Sequence, residues 1–297
     1  MKKIFVAEGA GFCFGVKRAI DIAFDVARKY KDEVCTLGPI IHNPQVVKKL
    51  RELGVESFED IPPNKIVRGV IIRAHGITKE KLKELQDLKY EIIDATCPFV
   101  KKAQSLAEEL SLKKYQVIIV GDKNHPEVKG ILSYAEGNAA VVGNLEDIPT
   151  LSEKIGIIQQ TTQPLKKVKR IVMRILSKIE DFEEIRIFNT LCNFTAKRLK
   201  ATERIAKKVD LMIVVGGRNS ANTTQLANLC RELGVETYHI ESAEEIRKEW
   251  FSSVEKIGLT AGASTPQWVI EEVMNKIESF INEGGNHAES GRRKTRS

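Results

Sequence analysis

The stretch Cys13-Phe14-Gly15-Val16-Lys17-Arg18-Ala19 recurs twice further along the chain. It returns as Cys97-Pro98-Phe99-Val100-Lys101-Lys102-Ala103 and as Cys192-Asn193-Phe194-Thr195-Ala196-Lys197-Arg198. Each cysteine is followed by an aromatic residue and a basic pair. Apolar residues at three- and four-residue steps then predict amphipathic helices over 17–29, 100–112 and 196–207. Self-similarity on this scale marks a repeated structural unit.

The likeness continues downstream. About 24 residues after each cysteine a predicted strand ends in glycine, over 34–38, 117–121 and 211–216. A polar loop follows each time: Ile41-His42-Asn43-Pro44, Asn124-His125-Pro126-Glu127 and Asn219-Ser220-Ala221-Asn222. Helices are expected next, over 45–53, 128–136 and 223–233. Strands at 70–73, 155–158 and 256–259 then lead into Ala74-His75-Gly76, Gln160-Thr161-Thr162 and Ala261-Gly262-Ala263-Ser264. Further helices, 79–87, 165–179 and 266–281, close each unit.

Strands alternating with helices imply parallel sheets joined by right-handed crossovers. The expected fold is α/β, with three similar small α/β units arranged around a pseudo-threefold axis and a central cavity. The units are read as 1–96, carrying an N-terminal strand at 3–7 that lies outside the repeat, then 97–191 and 192–282. Residues 283–297 are expected to be a flexible polar tail.

Composition narrows the function classes. Apolar residues make up 42% and charged residues 29% of 297 residues, an ordinary soluble balance. The apolar start is cut short by Glu8, so no signal peptide is expected, and no apolar run is long enough to span a membrane. A cytoplasmic protein is the expectation. The net charge of +7 is concentrated at Arg292, Arg293, Lys294 and Arg296, which leaves a nearly balanced body without the basic helix or stacking aromatics of a nucleic-acid binder. The five cysteines are Cys13, Cys35, Cys97, Cys192 and Cys230, an odd number that argues for reduced thiols.

In parallel α/β sheets, ligands bind at the carboxyl ends of strands. Every polar loop quoted above falls there. Three repeat-related thiols facing one cavity would hold a metal centre with one open position, either zinc or, better suited to ligands from three separate units, a 4Fe-4S cluster. Cys35, inside a strand, and Cys230, inside a helix, read as buried packing residues. His42, His75, His125, Thr161, Ser220, Asn222 and Ser264 precede helix N-termini, where an anion such as phosphate is favoured. The hydroxyl residues among them also suit simple N-caps. Glu127 suits a proton donor, or a helix-start glutamate favoured by the dipole. Asp94 reads as a loop cap and His239 as structural.

Six segments, Gly11-Phe12-Cys13-Phe14-Gly15-Val16, Ala74-His75-Gly76, Asp94-Ala95-Thr96-Cys97-Pro98, His125-Pro126-Glu127-Val128, Gln160-Thr161-Thr162 and Thr260-Ala261-Gly262-Ala263-Ser264, together resemble the 4-hydroxy-3-methylbut-2-enyl diphosphate reductase family. The resemblance runs in order over residues 3–281. It implies a 4Fe-4S cluster on Cys13, Cys97 and Cys192, and a substrate diphosphate held by His42, His75, His125, Ser220, Asn222 and Ser264. It implies that Glu127, with Thr161, handles protons near the substrate hydroxyl. Where the family commonly has a serine this chain has Ala221, which leaves only its backbone N–H for the diphosphate. The implied reaction is reductive dehydroxylation to isopentenyl and dimethylallyl diphosphate, the last step of the methylerythritol phosphate route. The resemblance implies a ferredoxin or flavodoxin as electron donor; separately, no G-x-G-x-x-G follows a strand, so no nicotinamide site is expected. A monomer is expected. A zinc hydrolase of phosphorylated substrates and an iron–sulfur redox sensor are the competing readings.

Overall fold

The computed structural model describes the backbone of residues 2–30, 33–41, 43–62 and 65–290, and the side chains of all of these except 221 and 283–290. The chain opens with β1 (Lys3–Val6), α1 (Phe14–Tyr30), β2 (Val34–Leu37), α2 (Pro44–Glu52), β3 (Glu56–Phe58), β4 (Gly69–Ile72), α3 (Lys79–Asp87) and β5 (Glu91–Asp94). It continues with α4 (Pro98–Leu112), β6 (Gln116–Val120), α5 (Pro126–Tyr134), β7 (Ala139–Val142), β8 (Lys154–Gln159), α6 (Leu165–Leu176) and β9 (Glu184–Ile187). It closes with α7 (Asn193–Ala206), β10 (Leu211–Val215), α8 (Ala221–Glu232), β11 (Glu236–Ile240), β12 (Lys256–Ala261) and α9 (Gln267–Ser290).

The strands form three four-stranded sheets in the orders β3-β2-β4-β5, β7-β6-β8-β9 and β1-β12-β10-β11. Every recorded strand pair is parallel. Three α/β units are thus present, as the repeat predicts. They fall into two compact bodies, one made of the chain up to Phe14 and from Phe194 onward, the other of Gly15–Asn193.

Alternation along the central strands explains the layering. Leu211, Ile213 and Val215 of β10 pack with Val269, Ile270, Val273 and Ile277 of α9. Met212 and Val214 turn to the opposite face, against Ala206 of α7 and Leu226, Ala227 and Cys230 of α8. In the same way Val117 and Ile119 of β6 meet Ala103, Ala107 and Leu110 of α4 with Val128 and Ile131 of α5, while Ile118 and Val120 meet Val168, Ile171 and Ile175 of α6. Successive side chains of a strand point to opposite faces, so a fully apolar strand must be covered on both sides.

Two expectations are corrected. The N-terminal strand lies inside the repeat: β1 pairs with β12, with Lys3 opposite Lys256 and Val6 opposite Leu259. Its place in that sheet matches β5 and β9 in theirs, so each cysteine follows the strand that lies beyond the second of two central strands. The assignment of β1 to a unit 1–96 fails because strand pairing follows hydrogen bonding rather than chain proximity. The tail boundary at 283 also moves, because the α9 backbone stays helical to Ser290. The basic run at 292–296 lies outside the described residues. Among the described residues no helix is long and apolar enough to cross a membrane.

Candidate active site

Each cysteine of the repeat stands directly before a helix. Cys13 precedes α1, Cys97 is the N-cap of α4 without a side-chain capping bond, and Cys192 precedes α7. The predicted helices thus begin a turn earlier than periodicity suggests. All three are half-buried, whereas Cys35 and Cys230 are fully buried. Burial pushes the Cys35 and Cys230 thiols up to about 11, so neither is suited to be a thiolate ligand.

The three cysteines share a further feature. Cys13 N–H donates to Ala263 O at 3.4 Å, Cys97 N–H to Ala74 O at 2.9 Å and Cys192 N–H to Thr161 O at 2.7 Å. Every partner lies in a strand-end loop that the repeat marks as polar: the loops of Ser264, His75 and Thr161. The repeat cysteine and the strand-end loop are therefore bonded to each other through the backbone in each unit. The cysteine donors are soft sulfur. Gly15 leaves a space at one of them, since a Cβ there would lie 2.4 Å from Cys97 Sγ. By donor chemistry each of Cys13, Cys97 and Cys192 is suited to thiolate ligation. Among the described residues no group of three or more His, Cys, Asp or Glu side chains forms a ready cage for a single metal ion.

In the body Gly15–Asn193, Glu127 is 1% exposed. Its Oε1 accepts from Thr161 N–H at 2.6 Å and its Oε2 pairs with Thr161 Oγ1 at 3.0 Å. Burial raises the Glu127 carboxyl to about 7, against the lowering effect of the two Thr161 bonds. This is more than a helix-start glutamate on a solvated first turn. Gln160 knits the surrounding loops: its Oε1 accepts from Asp122 N–H at 3.0 Å and from Gln163 Nε2 at 2.8 Å, and its Nε2 donates to Thr162 Oγ1 at 3.1 Å.

His125 caps α5, its Nδ1 accepting from Glu127 N–H at 3.1 Å. Nδ1 is therefore unprotonated, and the neutral ring carries its proton on Nε2 as a donor. The His75 ring meets the His125 ring edge-on at 5.4 Å. Gly76 beside it has φ +73°, a left-handed turn that glycine adopts without strain. Asp94 caps its loop as expected, accepting from Thr96 N–H at 3.0 Å and pairing with Lys101. Burial pushes the Asp94 carboxyl up, but Lys101 and Thr96 hold it below the usual range.

In the other body Ser220 caps α8, accepting from Thr223 N–H at 3.4 Å, and Ala221 and Asn222 form the first turn of that helix. Ala263 N–H at 3.0 Å and the Arg198 guanidinium at 3.3 Å, both donors, face one side of the Asn222 amide, which assigns its oxygen to that side as their acceptor. Ser264 lies half-buried in the loop before α9. Phe14 and Phe194, the aromatic positions of two repeats, stack with centroids 6.4 Å apart. His239 Nε2 bonds Gly216 O at 2.9 Å. His42 and the Ala221 side chain lie outside the described residues. Sequence reasoning missed Gln160 as an organiser and Arg198 altogether, although both stand inside quoted motifs.

The chain matches the family model described as LytB protein over residues 4–278. It is 50% identical over 283 residues to a 4-hydroxy-3-methylbut-2-enyl diphosphate reductase of Geobacter sulfurreducens, covering 94% of this chain and 98% of the relative. It is likewise 50% identical over 288 residues to the protein of that name in Geotalea uraniireducens, with 96% and 100% covered. A solved structure of (E)-4-hydroxy-3-methyl-but-2-enyl diphosphate reductase, the terminal enzyme of the non-mevalonate pathway, superposes with a TM-score of 0.77 at 43% identity, over 94% of this chain and 100% of the other. A solved structure of the E-1-hydroxy-2-methyl-but-2-enyl-4-diphosphate reductase from Plasmodium falciparum superposes with a TM-score of 0.81 at 29% identity, over 92% of this chain and 87% of the other. The chain belongs to the LytB protein family.

Proposed function

We propose that this protein removes the allylic hydroxyl of 4-hydroxy-3-methylbut-2-enyl diphosphate reductively, forming isopentenyl and dimethylallyl diphosphate. The reaction takes up two electrons and two protons and releases one water. Cys13, Cys97 and Cys192 would hold a 4Fe-4S cluster, which when bound supplies single electrons and an open iron for the hydroxyl. A ferredoxin or flavodoxin is the proposed electron donor.

The protein's own residues do the rest. His125 and His75 with Asn222, Ser264 and Ser220 bind the diphosphate, assisted by N–H groups at the start of α8 and by His42. His125 does so as a neutral Nε2–H donor, because its Nδ1 is committed to Glu127 N–H. Glu127, whose carboxyl burial raises to about 7 and so keeps partly protonated near neutral pH, delivers a proton to the departing hydroxyl. Thr161 orients that carboxyl through two bonds.

The observation that carries the reading is the chain Glu127–Thr161–Cys192. A carboxyl tuned to about 7 is bonded to Thr161, whose carbonyl accepts from Cys192 N–H at 2.7 Å. A proton source is thereby built onto the loop of a proposed ligand. The test is Glu127→Gln, assayed for substrate binding and for reduction with a dithionite-reduced dye. Binding should persist while turnover falls about 10²-fold or more. Near-normal turnover would remove Glu127 from the reaction. Iron and sulfide assays on the five Cys→Ser variants should show loss at 13, 97 and 192 and retention at 35 and 230.

A further inference from the structure

The basic pair after each cysteine has no part in the chemistry above, yet two of its members are bound in a repeated way. Arg198 of α7 is 3% exposed. Its Nε donates to Gly9 O at 2.8 Å and its Nη2 to Gly11 O at 2.7 Å, the turn between β1 and Cys13. Its Nη1 reaches the Asn222 oxygen at 3.3 Å. Arg18 of α1 does the corresponding thing in the other body: Nη1 donates to Thr96 O at 3.2 Å and Nη2 to Asp94 O at 3.4 Å, the turn between β5 and Cys97. Lys102 occupies this position in the second repeat and is exposed. The turn before Cys192 is held instead by Thr190, whose N–H donates to Gln159 Oε1 at 3.1 Å and whose Oγ1 donates to Gln159 O at 2.6 Å.

We propose that Arg198 is a positioning residue that fixes the Cys13 turn and, through the same guanidinium, turns the Asn222 amide so that its NH2 faces the anion. The argument is one of donors and acceptors. An asparagine amide presents an acceptor on one side and two donors on the other. Arg198 and Ala263 N–H both offer donors, so only the oxygen can face them. What Asn222 retains for a diphosphate is the NH2. With the amide reversed, its oxygen would repel the anion. Lysine cannot replace this arrangement, because the guanidinium fork spans two carbonyls and an amide at fixed angles while an ammonium is a point charge.

This inference rests on the proposed roles of Cys13 and Asn222, and the experiment separates the two. Anaerobically purified protein is titrated with inorganic pyrophosphate by calorimetry, for the parent, Arg198→Met, Arg198→Lys, Asn222→Ala and Arg198→Met with Asn222→Ala. Arg198→Met should weaken pyrophosphate binding about tenfold or more, the scale of a lost hydrogen bond to a charged group. Arg198→Lys should weaken it too, despite its charge, and serves where the methionine variant does not fold. The combination of Arg198→Met or Arg198→Lys with Asn222→Ala should bind no worse than Asn222→Ala alone, because arginine acts through asparagine. Iron and sulfide content should drop in both Arg198 variants. Wild-type affinity in both Arg198 variants, or losses that add to that of Asn222→Ala, overturns the inference. Unchanged affinity in Asn222→Ala, or a full cluster in Cys13→Ser, overturns the underlying reading instead.

Discussion

Glu127 shows what a single buried group does to this protein. In the unfolded chain its carboxyl ionises near 4.5, and in the fold burial holds it neutral to about 7. The folded state therefore binds the extra proton between those values. Stability from this group is full below 4.5 and is lost as pH rises through about 7, a change of about 3 kcal/mol. Glutamine has the shape of the protonated acid and cannot ionise. Glu127→Gln should be more stable than the parent above pH 7, with the difference vanishing near pH 4.5, read from denaturant unfolding across that range. Parallel pH profiles would contradict the buried neutral acid. Gly15 carries a second expectation at this scale. A methyl group there meets Cys97 Sγ at 2.4 Å, so Gly15→Ala should lower iron content while the circular dichroism spectrum stays that of the parent.

Among the elements, legibility divides along the sheets. The strands recognised from sequence are mostly the central ones, such as β2, β4, β6 and β10, buried at every residue. Those missed are β3, β5, β7 and β9, short strands at sheet edges that read Glu-Ser-Phe, Glu-Ile-Ile-Asp, Ala-Ala-Val-Val and Glu-Ile-Arg-Ile. An edge strand has one paired side and partial burial, so its composition carries little signal. The same division orders the energetics. Ile119→Ala in β6 removes a fully buried side chain packed between α4, α5 and its own sheet, and should cost about 3–4 kcal/mol. Met173→Ala, on the exposed side of α6, should stay within about 0.5 kcal/mol. Denaturant midpoints of the two variants check the contrast.

At the scale of the whole molecule, β1 belongs to the sheet of the last repeat. β1 supplies the strand that β5 and β9 supply to the other two sheets, joined to β12 by backbone bonds such as Ala7 N–H to Leu259 O at 2.8 Å. The N-terminus is thus tied to a sheet built from residues more than 200 positions away. Removing residues 1–6 should speed amide exchange in β12 and β10 and leave the β6 and β8 amides as protected as in the parent. Equal loss of protection in all sheets would mean that the N-terminal strand supports more than its own unit.

The sequence alone determined the α/β class, the threefold repeat, the separation of Cys13, Cys97 and Cys192 from Cys35 and Cys230, and the strand-end loops that carry the polar residues. These are legible because periodicity and repetition are local properties of the chain, and local patterns need no knowledge of what lies opposite. Only the tertiary structure decided that the Glu127 carboxyl is raised by burial, that the Asn222 amide meets two donors on one side, that Arg198 braces the Cys13 turn and that β1 completes the last sheet. Each of these depends on a partner distant in sequence: Thr161 for Glu127, Ala263 for Asn222, Gly9 for Arg198 and Leu259 for Ala7. Desolvation and hydrogen-bond geometry are set by that partner, and no spacing within a motif specifies it.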